Sequence, residues 1–388
     1  MNQFYEVIAV SACAEKLAQV AKRYGVKYDP IEMTREISPL QDLRSLWEFF
    51  RLCKKEKPFI VHSHTPKAGV VGMMGAMLAG VPNRLHTVAG LPLMEATGLK
   101  RTVLNFVEQL TYACATKVYP NSRGLYDFIL AEKFCNASKL KVLGNGSSNG
   151  IDSTYFDRSH FPKVHQQKLR TKLKIQPDDF VFIFVGRLVG DKGINELVTA
   201  FKNLNPSHCE DEGRSNLKAT TIYNQHPSPH TPHPTSNNFK LLLVGPLETE
   251  LDPLQPSTLS EIEHNENIIS VGYQEDVRPY FALADALVFP SYREGFPNVV
   301  LQAGAMGLPS IVTNINGCNE IIKDHQNGLI IPVKDTSALE KAMRQLQNDT
   351  TLYQSLQYEA RKKIVTHYEQ KLIWQAILEE YNKAEHHV

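Results

Sequence analysis

Surplus charge, paired cysteines and long apolar runs are all scarce in this chain of 388 residues. Its 42 Lys and Arg stand against 41 Asp and Glu, leaving a net charge of +1. A dedicated nucleic-acid binder needs clustered surplus cations to neutralise phosphates, so that class is excluded. The six cysteines (Cys13, Cys53, Cys114, Cys135, Cys209 and Cys318) lie far apart and form no C-x-x-C pair. That spacing argues against a structural zinc site and suits a reducing compartment better than a disulfide-stapled fold. The longest apolar stretch, "GVVGMMGAMLAGV" at residues 69–81, falls well short of the roughly 20 residues that cross a bilayer. Its Gly and Ala content suits a helix packed tightly inside a domain. No basic segment precedes the first apolar run, so no signal peptide is expected and a cytoplasmic location is.

What is present is ordinary for a globular protein: 42% hydrophobic and 21% charged residues. At about 100–200 residues per domain the length predicts two domains. Short β-branched runs alternate with segments of helical period. In the first half they are residues 5–10, 59–62, 84–87, 117–119 and 140–143. In the second half they are 180–185, 241–244, 268–271, 286–289, 310–313 and 328–331. Runs without clean alternation predict strands buried on both faces, hence parallel doubly wound sheets in an α/β fold. The polar stretch 157–174 separates two such sets and puts the boundary near residue 160. The expected division is 1–160, 161–365, and a C-terminal helix over 366–388 packing back toward the first domain.

Residues 205–238 interrupt the pattern with "NQHPSPHTPHPTSNN" and predict a disordered surface insertion. His226, His230 and His233 there invite a metal reading, against which stands a solvated loop with no designed ligand geometry. The chain also opens unusually. A strand runs directly into "SACAEKLAQVAKRYG" without a glycine turn, as the second strand of a doubly wound domain does. A first domain lacking its opening strand, and unstable for that reason if the chain is complete, is the expectation.

Two stretches carry the chemistry. In "FIFVGRLVGDKG" a buried strand leads into Arg187 and Lys192, among Gly186, Gly190 and Gly193. Doubly wound sheets bind ligands at such strand ends, and two cations among glycines suit a diphosphate. In "FPSYREGFPNVVLQAGAMGLPSIVT" a strand, a tight turn and a helix follow one another. Glu294 sits at the turn, free N–H groups at the helix start favour an anion, and Gln302 lies two helical turns on. A helix cap plus a surface Gln is the plain alternative.

These blocks resemble the retaining GT-B glycosyltransferases of family four, which use nucleotide sugars to build bacterial surface polysaccharides. The similarity runs through "EKPFIVHSHTPKAG", "GLPLMEATG", "NSRGLYDF", "NGID" and "VGYQEDVRPYFALADALVFPSYREGFPNVVLQAGAMGLPSIVT". It implies two Rossmann-like domains facing across a cleft, the first on the acceptor side and the second holding the nucleotide sugar. By this resemblance Arg187 and Lys192 grip the donor diphosphate, and Glu294 touches hydroxyls of the transferred sugar. The family's second Glu, which holds the ribose, is replaced by Gln302, so ribose binding loses a charge-assisted bond. Gly272, Tyr273 and Gln274 match the contacts to the base. Gly295, Phe296, Pro297 (through its carbonyl) and Asn298 match contacts to phosphate or sugar. His86 matches the histidine near the donor sugar, while His62 and His64 face the acceptor. For each histidine a buried, hydrogen-bonded core residue is the competing reading.

The resemblance implies transfer with retention of anomeric configuration, a UDP-linked hexose or N-acetylhexosamine donor, and a glycan or polyprenyl-diphosphate-linked acceptor. No D-x-D pair stands where a metal-dependent transferase needs one, so neither metal nor cofactor is expected. Residues 89–101, apolar and ending in two cations, suit either a peripheral contact with the cytoplasmic face of the inner membrane or packing on their own domain. Rival readings are a non-catalytic nucleotide-sugar-binding subunit and a sugar-nucleotide epimerase of the same fold. A dinucleotide oxidoreductase lacks its G-x-G-x-x-G.

Overall fold

The computed structural model describes residues 1–34, 38–94, 96–204, 238–250 and 252–385. The insertion expected at 205–238, with its three histidines, lies outside the described residues except for Asn238. In chain order the first elements are β1 (Ile8–Ser11), α1 (Ala14–Tyr24), β2 (Lys27–Pro30), α2 (Pro39–Glu56) and β3 (Ile60–Ser63). Then come α3 (Pro66–Ala79), β4 (Asn83–Val88), α4 (Gly98–Cys114), β5 (Lys117–Pro120) and α5 (Arg123–Ala131). The second half holds α6 (Lys163–Lys172), β6 (Phe180–Val185), α7 (Ile194–Leu204), β7 (Phe239–Val244), α8 (Pro256–His264) and β8 (Ile268–Ser270). It continues with α9 (Arg278–Leu283), β9 (Ala286–Phe289), α10 (Asn298–Ala305), β10 (Ser310–Thr313), α11 (Cys318–Ile321) and β11 (Gly328–Ile331). Helices α12 (Thr336–Asn348), α13 (Thr350–Tyr368) and α14 (Gln370–Glu385) complete the chain. No described helix is long and apolar enough to cross a membrane.

The chain divides into two compact units. The first comprises Met1–Asp152, Glu294–Asn298 and Thr366–Val388; the second comprises Ser153–Arg293 and Val299–Val365. In the second unit six parallel strands run β11-β10-β9-β6-β7-β8. That is the doubly wound order, with the chain reversing direction across the sheet between β6 and β9. The central strands are continuous apolar runs because both their faces are covered. Phe180, Phe182 and Phe184 of β6 are fully buried, as are Leu241, Leu242 and Leu243 of β7. Each such side chain contributes about 1.5–3 kcal/mol on burial. Helix α7 packs Leu197 and Phe201 inward, and α12, capped by the Asp335 carboxylate accepting from Ala338 N at 2.8 Å, does so with Leu339, Met343 and Leu346.

In the first unit β3, β4 and β5 form one parallel sheet and β1 pairs only with β2 among the described residues. Val10 of β1 and Val61 of β3 nevertheless pack on a common cluster that includes Phe49, Cys53 and Val71. Helices α2, α3 and α4 lie side by side as one layer. The opposite face of the β3–β4–β5 sheet is covered by α14, whose Ala376, Ile377 and Tyr381 pack on Leu85, Tyr119 and Leu143.

Two local expectations are corrected. Residues 140–143 are not a strand: Leu140 makes one isolated bridge to Val118, and the chain then turns through Gly144 and Gly146, both at positive φ. Residues 27–30 form β2 instead, a short strand whose charge and proline are tolerated at a sheet edge.

Candidate active site

In the second unit the carboxyl end of β6 carries Arg187 and Lys192, and that of β8 carries Gly272–Gln274. Leaving β6, Gly186 adopts φ +154°, and Gly245, leaving β7, adopts φ +148°. A Cβ on Gly245 would stand 1.8 Å from the Gly186 carbonyl oxygen, so only glycine lets these two loops meet. Arg187 projects outward and pairs with Glu248 at 3.0 Å. Gly190–Lys192 form a single tight turn that ends at Gly193, φ +70°, where α7 begins. A Cβ there would lie 2.2 Å from the Pro290 carbonyl oxygen, which ties the loop after β6 to the loop after β9.

Asp191 holds that junction together. Its Oδ2 accepts from Arg293 Nη2 at 3.0 Å and Nε at 3.2 Å, and its carbonyl accepts from Tyr292 N at 2.9 Å. Asp252 completes the cradle by accepting from Asp191 N at 2.5 Å through Oδ2 and from Gly190 N at 3.0 Å through its carbonyl. Asp191, Asp252, Glu248 and Arg293 escaped the sequence reading. Each is a common charged residue without a motif of its own, and the partners lie some 60 to 100 residues apart.

Beside this, Gly272 (φ +65°) accepts through its carbonyl from Gly245 N at 2.9 Å. Tyr273 is 73% exposed, and Gln274 Nε2 donates to the Val271 carbonyl at 2.8 Å. Arg187, Lys192 and Gly272–Gln274 are therefore gathered on one sheet edge, and Gln302 is half-buried on α10.

In the first unit the turn Glu294–Asn298 sits at the ends of β4 and β5. A Cβ on Gly295 would lie 1.8 Å from the Ala89 carbonyl oxygen, so no other residue fits. Phe296 and Pro297 are buried, the Phe296 ring standing 5.6 Å from that of Tyr368, while Glu294 and Gly295 are half-buried and Asn298 is exposed. Asn121 Nδ2 donates to the Ala89 carbonyl at 3.2 Å, and its buried Oδ1 has no hydrogen-bond partner. The sequence reading missed Asn121, although it opens the motif "NSRGLYDF".

The histidines separate onto the two faces of the β3–β4–β5 sheet. His86 is 2% exposed on the helix-covered face, bonded through Nδ1 to Ser63 Oγ at 2.8 Å. Its ring is pressed against Gly69, where a Cβ would come within 2.6 Å. Burial and the neighbouring His64 push its pKa down to about 3, so the ring is neutral. The ring that the resemblance sets beside the donor sugar is thus enclosed by its own unit. His62, on the α14 face, contacts Tyr381 Oη at 2.7 Å through Nδ1 and Thr87 Oγ1 at 2.8 Å through Nε2. Burial, then repulsion from His64 and His86, holds its pKa well below the usual imidazole value. A neutral ring between two hydroxyls donates to one and accepts from the other. His64 is exposed, its ring 4.2 Å from that of His62.

Among the described residues no group of three or more His, Cys, Asp or Glu could hold a metal ion.

Two family models match. One described as "Glycosyl transferases group 1" covers residues 165–363, and one described as "Glycosyl transferase 4-like domain" covers residues 2–146. The capsular polysaccharide biosynthesis glycosyltransferase CapM of Staphylococcus aureus is 33% identical over 353 residues, 91% of this chain and 84% of the relative. An Escherichia coli enzyme named as UDP-Gal:alpha-D-GlcNAc-diphosphoundecaprenol alpha-1,3-galactosyltransferase is 28% identical over 323 residues, 82% of this chain and 74% of that one. Among solved structures, Anabaena HepE in complex with UDP superposes with a TM-score of 0.75 at 17% identity, over 97% of this chain and 92% of that one.

Proposed function

Since the chain belongs to the GT-B glycosyltransferases of the family-four type, we propose that it transfers a hexose or N-acetylhexosamine from a UDP-linked donor during surface-polysaccharide synthesis. The carrying observation is the glycine-lined edge of the second sheet, where the loop of Arg187 and Lys192 meets the loop after β7 and, through Gly245, that of Gly272–Gln274. Cations at the switch point of a doubly wound sheet suit a diphosphate, and the neighbouring backbone suits a base. UDP is favoured because it is the nucleotide named for the E. coli relative and for the Anabaena structure. A polyprenyl-diphosphate-linked sugar is our reading of the acceptor, by likeness to that same relative. Such an acceptor brings the enzyme to a membrane surface.

In this reading the acceptor hydroxyl adds to the anomeric carbon as the bond to the UDP oxygen breaks, with retention of configuration. The UDP leaves with the electron pair, and the acceptor proton passes to the departing phosphate. Arg187 and Lys192 stabilise the charge that develops there, without a metal ion. Glu294 and the N–H groups of Gly295 and Asn298 orient the sugar, with Phe296 and the Pro297 carbonyl shaping the turn; Gln302 holds the ribose. His64 and His62 serve the acceptor side. His86, being enclosed, acts by positioning the end of β4.

Titration calorimetry with a panel of UDP-sugars tests the assignment. One donor should bind, and Arg187→Ala or Glu294→Ala should weaken it by about tenfold or more, as expected for lost charge-assisted bonds. Full transfer activity in excess chelator is expected as well. Binding unchanged in both variants, or activity restored only by manganese, would refute the corresponding part.

A further inference from the structure

On the ligand-facing edge of the second sheet, Gly186, Gly193, Gly245 and Gly272 stand at positive φ, whereas Gly190 does not. Its backbone therefore does not call for glycine. What a side chain there would meet is the Asp252 carboxylate, since a Cβ would lie 2.9 Å from each of its oxygens. The missing Cβ makes room for Asp252 to approach the turn. Through that opening Asp252 Oδ2 accepts from Asp191 N at 2.5 Å, and the Asp252 carbonyl accepts from Gly190 N at 3.0 Å. Both donors belong to the single turn that ends in Lys192. The anchor is itself fixed: Leu254 is buried, and Asn195 Oδ1 of α7 accepts from Gln255 N at 3.0 Å. The carbonyl of the turn is held as well, Asp191 O accepting from Tyr292 N at 2.9 Å and from Ser291 Oγ at 3.4 Å.

We infer that Asp252 is a positioning residue for the donor: it fixes the Gly190–Lys192 turn and so sets where the Lys192 amine meets the diphosphate. The inference rests on the reading of Lys192 as a diphosphate cation and adds the residue that holds it in place. A lysine is a point charge on a flexible four-carbon stem, so its grip on a phosphate depends on how firmly its own backbone is placed. The chemistry of Asp252 favours this role over direct contact with the donor. A carboxylate beside a diphosphate repels it, whereas a carboxylate accepting from a backbone N–H makes a strong bond that holds a loop. What Asp191 N requires is an acceptor oxygen, and a side-chain amide supplies one too.

The test is titration calorimetry of the full chain with UDP, each variant also being checked by thermal unfolding. Lys192→Ala sets the scale of the lost cation. Asp252→Ala should weaken UDP binding about tenfold in the wild-type background but less than about twofold in Lys192→Ala, because residues that act through one group do not add. Gly190→Ala pushes the carboxylate off Asp191 N, so it should reproduce the loss and add little to Asp252→Ala. Asp252→Asn keeps an acceptor oxygen and should stay within about twofold of wild type. Uridine, which lacks the diphosphate, should bind wild type and variants alike in saturation-transfer NMR. If Asp252→Ala does not fold, Gly190→Ala and Lys192→Ala form the same cycle. Losses that add across the cycle, UDP binding untouched by Asp252→Ala or Gly190→Ala, or uridine weakened in step with UDP would each overturn the inference. Asp252→Asn as harmful as Asp252→Ala would assign the effect to charge and overturn it too. UDP binding that needs Lys192 but not Asp252 refutes this inference alone. A wild-type chain that binds no UDP, or a Lys192→Ala variant that binds it normally, refutes the donor reading and this inference with it.

Discussion

At Glu108 a carboxyl is 5% exposed on the inner side of α4, and burial pushes its pKa up to about 7. The stability that follows from holding the proton is complete below the unfolded value of about 4.5 and is lost as pH rises through 7. A shift of that size corresponds to about 3 kcal/mol. Glu108→Gln lacks this loss, so the variant's stability relative to wild type should rise by about 3 kcal/mol between pH 4.5 and pH 8. Urea unfolding at the two pH values measures it, and parallel behaviour of the two proteins would contradict the assignment. His86 teaches the complementary lesson. Its place at the end of β4 was readable from the apolar run before it, but not which face of the sheet its ring occupies. That depends on Gly69 of α3 leaving room for the ring.

At the scale of elements, the loops after β6, β7 and β9 meet only because glycines stand where they touch. The glycines of "VGRLVGDKG" were legible as a phosphate-type loop; their actual task includes backbone approach to Pro290 and to the β7 loop. Gly193→Ala places a Cβ against the Pro290 carbonyl at a positive φ. It should cost more than about 2 kcal/mol and weaken donor binding along with stability. Thermal unfolding and calorimetry on the same sample check both. A variant as stable as wild type would show that the loops part easily. The turn Glu294–Asn298 makes the same point. Its sequence announces a helix start, whereas Gly295 is required by contact with Ala89, some 200 residues away in the chain.

At the scale of the molecule, the first unit is finished by the last segment of the chain. Glu380 is 8% exposed and accepts from Lys141 Nζ at 2.6 Å, Lys383 Nζ at 2.9 Å and Tyr119 Oη at 3.3 Å. Tyr381 reaches His62, and Ile377 covers Leu85 and Tyr119. Truncation after Val365 removes this cover and exposes one face of the β3–β4–β5 sheet. Hydrogen exchange should then accelerate through β3, β4 and β5 while β6–β11 keep their protection. Equal loss of protection in both units would mean that they do not fold as separate cores.

The alternation of short apolar runs with helical periods determined a parallel α/β fold in two sets, because strands covered on both faces are written as near-continuous apolar runs. The ordered motif blocks likewise determined the family and the residues to examine. Only the tertiary structure decided which of those residues share a sheet edge, which histidine is enclosed, that Asp252 and Arg293 bind Asp191, and that Tyr381 meets His62. The physical reason is range. Periodicity and capping act over a few residues and are written locally. The partners of a carboxylate, or the atom that a missing Cβ makes room for, are chosen by segments that come together only when the chain has folded.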